Sequence, residues 1–321
     1  MPHRPRRHPL RALLAALLTA SVALPVAAAA GPAAVPAPAP APLTPLERAT
    51  PAALDARYGA VRTGIRAAER AAAGHGDHRR ARTLRELAAP ERTFLTFDGR
   101  DGGRTAEVVG DLARAERVAV LVPGADTSLD TYGRFHRDAA ALGRALPARS
   151  AVVAWLGYRT PATVSPGTLT REHAERGAPA LRAFVRDLAR AVPAARISLA
   201  CHSYGTVVCA SAAPGLPAAH LVLYGSPGTG ADHSDQLRTP ATVWAGRGAA
   251  DWIAAVPHTT LDLPFATVGF GTDPVSGAFG ARVFDAGRAG HADYLRPRSL
   301  SLANIARIVS DRSPRPESRD V

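Results

Sequence analysis

Residues 199–210 read LACHSYGTVVCA and place one serine, Ser203, between two small residues, Cys201 and Gly205. A serine at a sharp turn between a strand and a helix needs small residues two positions to either side, because only then can the strained backbone present its hydroxyl above the sheet. The usual pattern is G-x-S-x-G, so Cys201 stands where glycine is common. Ser203 is therefore a candidate nucleophile, and the alternative interpretation is an ordinary buried serine.

A serine hydroxyl needs a base to remove its proton, and the base needs a third group to orient it. In chains that use such a turn, the acid and then the histidine follow the serine. His291, in AGRAGHADYL, lies in a glycine-flanked loop after the final predicted strand and is the predicted base. His258, in AAVPHTT, is the rival candidate, and a surface imidazole is its alternative role.

Two aspartates compete for the acid. Asp251 follows the predicted strand ATVWA in the loop GRGAAD, which is the usual position of the acid. Its alternative role is to cap a helix that begins at Trp252. Asp273, in GFGTDPVSGAFG, is the competitor, although an aspartate before Pro274 also suits a turn. We favour Asp251 and keep Asp273 as the alternative.

The negative oxygen of a tetrahedral intermediate needs two backbone N–H donors fixed in advance. One donor comes from the residue after the nucleophile, here Tyr204, and the other from the loop after the third strand. That loop is VPGAD, residues 122–126, and follows the apolar run RVAVLV. We expect the second donor to be Ala125, with Asp126 as the alternative, because Pro123 has no N–H.

The elements that must position these residues alternate between short apolar runs and helical stretches. This alternation is typical of a mostly parallel sheet with crossover helices. The continuous apolar run RVAVLV predicts a buried central strand. The predicted strands cover residues 93–97, 104–112, 117–122, 151–156, 196–201, 220–224, 241–245 and 281–284. The predicted helices cover residues 130–146, 171–191, 204–213 and 299–309.

The N-terminal residues 1–30 predict a cleaved signal peptide and a secreted protein. Four arginines come first, then an apolar run, then small residues that end in alanines. The alternative is a transmembrane anchor, but Thr19, Ser21 and Pro25 interrupt the apolar run.

The rest of the chain divides into four predicted segments. Residues 31–45 form a proline and alanine linker that we expect to be extended. Residues 46–89 predict one or two helices, broken around residues 74–76, that pack on the following domain or cover its entrance. Residues 90–311 are the predicted hydrolytic domain, and residues 312–321 are a predicted disordered tail.

Composition excludes several classes of function. The formal net charge is +12, and all 39 basic residues are arginine. The arginines alternate with alanine, leucine and acids, as on solvated helix faces, rather than clustering beside aromatic residues as in nucleic-acid binders. The charge permits weak association with an anionic cell envelope. Since neither C-x-x-C nor H-E-x-x-H nor a glycine-rich phosphate loop occurs, we expect no metal and no cofactor.

The sequence contains two cysteines, Cys201 and Cys209. An exported protein with an even number of cysteines usually oxidises them. A bridge across the predicted turn requires Cα atoms within about 7 Å of each other. Two buried free thiols are the alternative. Because the closed loop is short, a bridge would stiffen the turn at Ser203 more than it would stabilise the whole fold.

An ordered series of motifs resembles a known group. The chain is similar to secreted or membrane-associated α/β-hydrolases of high-GC bacteria through VAVLVPGADTSLDTY, VVAWLGYRTP, CHSYGTVV, YGSPG, FGTDPVSGAFGARVFDAG and GHADYL. The resemblance implies an α/β-hydrolase fold, a nucleophile at Ser203 and a base at His291. It implies no substrate, and the matching run around Asp273 keeps that residue open as the acid.

Together these observations predict an exported serine hydrolase and a monomer that acts on a small-molecule acyl substrate. An ester is favoured over an amide because its leaving group needs less assistance, although a peptidase or acyltransferase would use the same triad. The fold class is α/β, with a mostly parallel central sheet, flanking helices and an N-terminal helical extension. The alternative is a binding protein rather than an enzyme: a noncatalytic protein that has the same fold and binds the cell envelope.

Overall fold

The computed structural model describes residues 36–263 and 266–315. The predicted signal peptide (1–30), the start of the predicted linker (31–35) and the end of the predicted tail (316–321) lie outside the described residues. In the part of the chain that the structure describes, no helix combines the length and the apolar character needed to cross a membrane.

An eight-stranded sheet forms the centre of the fold. Its strands are β1 (Thr93–Asp98), β2 (Arg104–Gly110), β3 (Arg117–Val122), β4 (Ser150–Leu156), β5 (Arg196–His202), β6 (His220–Tyr224), β7 (Thr242–Gly246) and β10 (Arg282–Val283). The order across the sheet is β1-β2-β4-β3-β5-β6-β7-β10. The strands β1 and β2 are antiparallel to their neighbours, and all pairs from β4 to β10 are parallel. This sheet confirms the predicted α/β class.

A separate antiparallel pair of strands, between β7 and β10 in the chain, was not predicted from the sequence. This pair consists of β8 (Thr260–Leu263) and β9 (Ala266–Gly269) and does not join the main sheet. Both strands have only four residues, so their apolar runs are too short to show a clear period.

Helices cover both faces of the sheet because the central strands are apolar on both sides. The helices are α1 (Pro51–Gly74), α2 (His78–Leu87), α3 (Tyr132–Ala145), α4 (Glu172–Ala191), α5 (Gly205–Ala212) and α6 (Leu300–Val309). Alternate residues of β3 belong to two cores. Val118 and Val120 pack with residues of α4 and α5, whereas Ala119 and Leu121 pack with residues of α1, α2, α3 and α6.

The N-terminal helices α1 and α2 pack against the α/β domain without lining its cavity at Ser203. Helix α1 contacts β1, and α2 contacts the 3-10 turn Leu129–Thr131. The buried Arg80 donates two hydrogen bonds of 2.6 Å to Asp130 in that turn. Among the described residues, none of 46–89 lines the cavity that contains Ser203. Helix α2 therefore contacts the cavity only indirectly, through Asp130 in the turn whose last residue, Thr131, lines it.

A buried carboxylate joins the start of the sheet to α3. Only 1% of the Glu107 side chain on β2 is exposed. It accepts two hydrogen bonds from Arg92 and one of 3.0 Å from His136 Nδ1 on α3. Burial alone would raise the pKa of Glu107, but the hydrogen bonds from His136 and Arg92 outweigh it and hold this pKa below its usual value.

We expect Glu107→Gln to lower the free energy of unfolding by about 3 kcal/mol, because it leaves the mostly buried Arg92 without its countercharge. Urea unfolding followed by circular dichroism measures the change. The exposed Glu86 on α2 gives a matched control, and Glu86→Gln should change the same free energy by less than about 0.5 kcal/mol.

The effect should also depend on pH. Since the folded pKa of Glu107 is depressed, its contribution is present above the unfolded pKa of about 4.3 and is lost as the pH falls. The difference between wild type and Glu107→Gln should therefore shrink in acid. A loss at neutral pH no larger than that of Glu86→Gln would contradict this role.

Candidate active site

Ser203 occupies the sharp turn between β5 and α5. Its backbone has φ 51°, in the left-handed region that a residue with a side chain rarely adopts. Such a conformation costs about 1–3 kcal/mol and persists only where the surroundings hold it. The Ser203 N–H donates to the Tyr224 carbonyl of the neighbouring strand β6, at 3.1 Å. The turn is thus tied to the sheet while its hydroxyl faces the cavity.

Two glycines leave space for this turn. A Cβ on Gly205 would lie 2.5 Å from the Pro123 carbonyl oxygen, and one on Gly124 would lie 2.7 Å from the Ser203 Cβ. Both distances are too short for real contacts. The loop after β3 therefore lies directly against the nucleophile turn, as the predicted oxyanion loop must.

The structure contains the predicted disulfide between Cys201 and Cys209, whose Cα atoms are 6.5 Å apart. Cys201 lies on β5 and Cys209 on α5, and both are fully buried. The bridge therefore joins the strand before Ser203 to the helix after it. The cysteine in place of the usual first glycine thus fixes the turn covalently.

Ser203, His291 and Asp251 form a continuous chain of hydrogen bonds. The Ser203 Oγ is 2.9 Å from His291 Nε2. The His291 Nδ1 is 2.9 and 3.1 Å from the two carboxylate oxygens of Asp251. The Asp251 side chain is fully buried, and His291 retains slight exposure. The structure therefore brings together the three residues favoured from the sequence.

The alternative acid, Asp273, and the alternative base, His258, lie near each other and not beside Ser203. Asp273 forms an ion pair with Arg247. His258 Nε2 lies 3.8 Å from Asp273 Oδ1. Both alternative residues therefore belong to a separate cluster, and the histidine that forms a hydrogen bond with Ser203 Oγ is His291.

Asp251 accepts further hydrogen bonds that keep it ionised. The Tyr294 hydroxyl donates to Asp251 Oδ2 at 2.5 Å and accepts from the Gly248 N–H at 3.0 Å. The Ile253 N–H also donates to Asp251, which is the capping role considered for this residue. Burial alone would raise the pKa of Asp251, but the hydrogen bonds from His291, Tyr294 and the Ile253 N–H hold this pKa below its usual value.

His202 is a site residue that the sequence analysis missed. Its Nε2 lies 2.8 Å from the His291 carbonyl oxygen, so this nitrogen carries the proton and donates. Its ring stacks on Tyr224 with centroids 5.2 Å apart. Burial and then the nearby His291 lower the pKa of His202 to about 3. His202 is therefore a neutral imidazole that fixes the backbone of the His291 loop.

The signals for these missed residues were present in the motifs. His202 directly precedes Ser203 in CHSYG, and Tyr294 follows His291 by three positions in GHADYL. Neither spacing specifies a partner, because His202 bonds to a residue 89 positions away and Tyr294 to one 43 positions away.

The backbone around the two predicted oxyanion donors is fixed. The Tyr158 hydroxyl donates to the Pro123 carbonyl at 2.7 Å and holds the loop after β3. The Asp126 N–H donates to the Pro161 carbonyl at 3.0 Å, which removes the alternative donor. Within the described part of the chain, the N–H groups of Tyr204 and Ala125 bond to neither a carbonyl nor a side chain. Ala125 lines the same cavity as Ser203.

The cavity that opens on Ser203 has a volume of about 420 Å³. Leu121, Phe135 and Leu295 give it an apolar wall, and Arg134 and Asp138 of α3 add charged groups. The half-exposed Trp252 lies outside this wall, and its ring centroid is 4.6 Å from that of His291. The cavity therefore extends from Ser203 towards α3, and Trp252 lies outside it on the solvent-exposed side of His291.

This arrangement can activate a hydroxyl for attack on an acyl carbonyl. It supplies a nucleophile, a base within hydrogen-bond reach and an ionised acid that orients the base. Among residues 36–263 and 266–315, no cluster of histidine, cysteine and acidic side chains could hold a metal ion.

The chain is similar to several known proteins. The profile of a family described as alpha/beta hydrolase matches residues 98–261. An uncharacterized protein of Mycobacterium tuberculosis is 30% identical over 252 residues, which cover 67% of this chain and 38% of that protein. Another is 32% identical over 176 residues, which cover 49% of this chain and 66% of that protein. The chain thus spans less than two-fifths of the first relative's length.

Solved structures of hydrolases also match. A serine hydrolase without a lid from Xanthomonas campestris is 19% identical with a TM-score of 0.45, and the match covers 70% of this chain and 95% of that one. The esterase LipW from Mycobacterium marinum is 18% identical with a TM-score of 0.43, and the match covers 79% and 90%.

We expect Tyr294→Phe to slow covalent modification of Ser203 by a fluorophosphonate about tenfold. The variant removes a hydrogen bond to the charged Asp251, and such bonds contribute about 1.5–3 kcal/mol. A time course of intact mass measures the rate. Because the bond also lowers the pKa of Asp251, the acidic limb of the rate profile should move to higher pH.

Tyr58→Phe provides the control, since Tyr58 lies on α1 and outside the cavity wall. This variant should keep the wild-type rate. Equal rates and identical pH profiles for Tyr294→Phe and wild type would show that Tyr294 does not position Asp251.

Proposed function

Because the chain belongs to the alpha/beta hydrolase family, we propose that it is a serine hydrolase that cleaves carboxylic esters through an acyl-enzyme intermediate. The observation that carries this proposal is the unbroken series of hydrogen bonds from Asp251 through His291 to Ser203, at the wall of a cavity. The α/β-hydrolase fold supports it by placing Ser203 at the carboxyl end of a central parallel strand, where such enzymes carry their nucleophile.

In the first half of the reaction, Ser203 Oγ attacks the ester carbonyl carbon while His291 Nε2 removes the hydroxyl proton. The Asp251 carboxylate stabilises the imidazolium that forms and stays ionised itself. The N–H groups of Tyr204 and Ala125 bind the developing oxyanion. When the intermediate collapses, His291 returns the proton to the departing alkoxide, and the alcohol leaves an acyl group on Ser203.

In the second half, water replaces the alcohol. His291 Nε2 removes a proton from the water as it attacks the acyl carbonyl, and the same N–H groups bind the oxyanion again. The ester bond to Ser203 then breaks, His291 protonates Ser203 Oγ, and the carboxylic acid departs. An ester is favoured over an amide because an alkoxide leaves with less assistance than an amine. A peptidase and an acyltransferase are the alternatives with the same triad.

We further propose that the protein is exported as a monomer after removal of residues 1–30. Loss of the four arginines in that segment lowers the formal net charge from +12 to +8. The disulfide between Cys201 and Cys209 is compatible with an oxidising compartment. The remaining positive charge would support weak association with an anionic cell envelope.

A fluorophosphonate probe should modify the purified protein at Ser203. Peptide mapping locates the modified residue, and the Ser203→Ala and His291→Ala variants serve as controls. Labelling should disappear in the first variant, which lacks the oxygen. It should fall by at least about 10³-fold in the second, since a serine without its base is a poor nucleophile.

The outcome separates the proposed enzyme from a noncatalytic binding protein. A folded protein that no fluorophosphonate modifies would refute an activated Ser203 and favour the binding role. Labelling at Ser203 would justify a screen of chromogenic esters, with a thioester and an anilide included to distinguish an esterase from the two alternatives.

Two isosteric variants test the choice of acid. We expect Asp251→Asn to reduce kcat/KM for 4-nitrophenyl butyrate by about 10³-fold or more, because the amide no longer stabilises the imidazolium or selects the correct tautomer. Asp273→Asn is the matched control and should change kcat/KM by less than about threefold. Equal losses, or a larger loss in Asp273→Asn, would overturn the assignment of Asp251.

A further inference from the structure

The cavity extends from Ser203 to one face of α3. Arg134 and Asp138 lie one helical turn apart on this helix, and both line the cavity. The apolar side chains of Leu121 and Phe135 line it as well. A chain held at Ser203 therefore meets apolar surface and also a carboxyl group.

Asp138 makes no direct contact with a hydrogen-bond donor or a cation among the residues that the structure describes. In the described ranges, its carboxyl group takes part in neither an ion pair nor a hydrogen bond. The neighbouring Arg134 donates to the Ala292 carbonyl instead of to Asp138. Asp138 is partly buried and lines the cavity, so its carboxyl group is available to accept hydrogen bonds from a cationic group of a bound ligand.

The charges around Asp138 come from two elements. Arg134 and Arg137 belong to the same helix, and Asp293 belongs to the loop after His291. Burial raises the pKa of Asp138 to about 6, Arg134 and Arg137 oppose this shift, and Asp293 adds to it. Above that pH the cavity wall therefore contains a carboxylate whose hydration is reduced.

The direction of the cavity indicates which part of an ester it receives. His291 Nε2 must protonate the departing alcohol, and the ring of Trp252 beside it faces solvent. This open side suits the alcohol. The part of the cavity that extends towards α3 then receives the acyl chain.

We propose that Asp138 selects esters whose acyl chain carries an ammonium group at its far end. This inference rests on the proposed function and specifies its substrate class. The methylene groups of such a chain lie along Leu121 and Phe135, and the ammonium donates hydrogen bonds to the Asp138 carboxylate, which accepts none from the described residues. A plain alkyl chain of the same length would displace water from that carboxylate without donating a hydrogen bond to it.

The test uses three 4-nitrophenyl esters of nearly equal length: 6-aminohexanoate, heptanoate and the adipate half-ester. They end in an ammonium, a methyl and a carboxylate group. We expect the wild type to have the highest kcat/KM for 6-aminohexanoate, by at least about tenfold over heptanoate, because hydrogen bonds between an ammonium and a carboxylate are charge-assisted. A preference for the adipate half-ester would instead show that Arg134 binds the end of the acyl chain, and it would overturn the proposal.

The variant Asp138→Asn keeps the shape of the side chain and removes its charge. It should lower the ratio of kcat/KM for 6-aminohexanoate over heptanoate at least about fivefold. Asp293→Asn is the matched control, since it removes an equal charge near Asp138 from outside the cavity wall. This control should change the ratio by less than about twofold.

The ratio should also rise with pH through about 6, as Asp138 ionises. A ratio that is independent of pH, or unchanged in Asp138→Asn, would refute the selection.

Fluorophosphonate labelling of each variant keeps the two proposals separate. Failure of the wild type to be labelled refutes the serine hydrolase, and the substrate class fails with it. Labelling at Ser203 without any preference among the three esters refutes only the role of Asp138.

Discussion

The left-handed backbone of Ser203 is the constraint on which the rest of the site depends. A side chain in this conformation is held only if nothing collides with the turn and if both flanking elements are fixed. Gly205 and Gly124 meet the first condition, because a Cβ at either position would overlap the opposite segment. The disulfide between Cys201 and Cys209 helps to meet the second. The departure from the usual glycine pattern is thus compensated by a covalent bond across the same turn.

The sequence predicted the sheet well where the strands are buried on both faces. RVAVLV became β3 with unchanged bounds, since a continuous apolar run at the centre of a sheet has no competing role. Elements at the edge were less predictable. The last strand has only Arg282–Val283, both exposed, and the pair β8 and β9 was missed altogether. Such short segments take their structure from neighbouring backbone rather than from their own pattern.

Chain order predicted the positions of Ser203 and His291, because both follow strands whose carboxyl ends share one edge of the sheet. The choice between Asp251 and Asp273 could be made only from the structure, because each aspartate also has a local role in its loop: Asp251 as a helix cap and Asp273 in a turn. Asp138 was invisible for another reason. On an arginine-rich helix its carboxyl looks like one more solvated charge, and only the structure shows that it lines the cavity with Ser203.

The family profile matches residues 98–261, yet the described domain extends beyond both limits. Arg80 and Arg92, which neutralise Asp130 and Glu107, precede the match, and His291 follows it. A fragment trimmed to the matched residues would expose the apolar face that α1 and α2 cover, and would carry acids without their countercharges. The limits of the family profile and of the packed domain thus differ in this chain, and a fragment designed for expression must keep the limits of the packed domain.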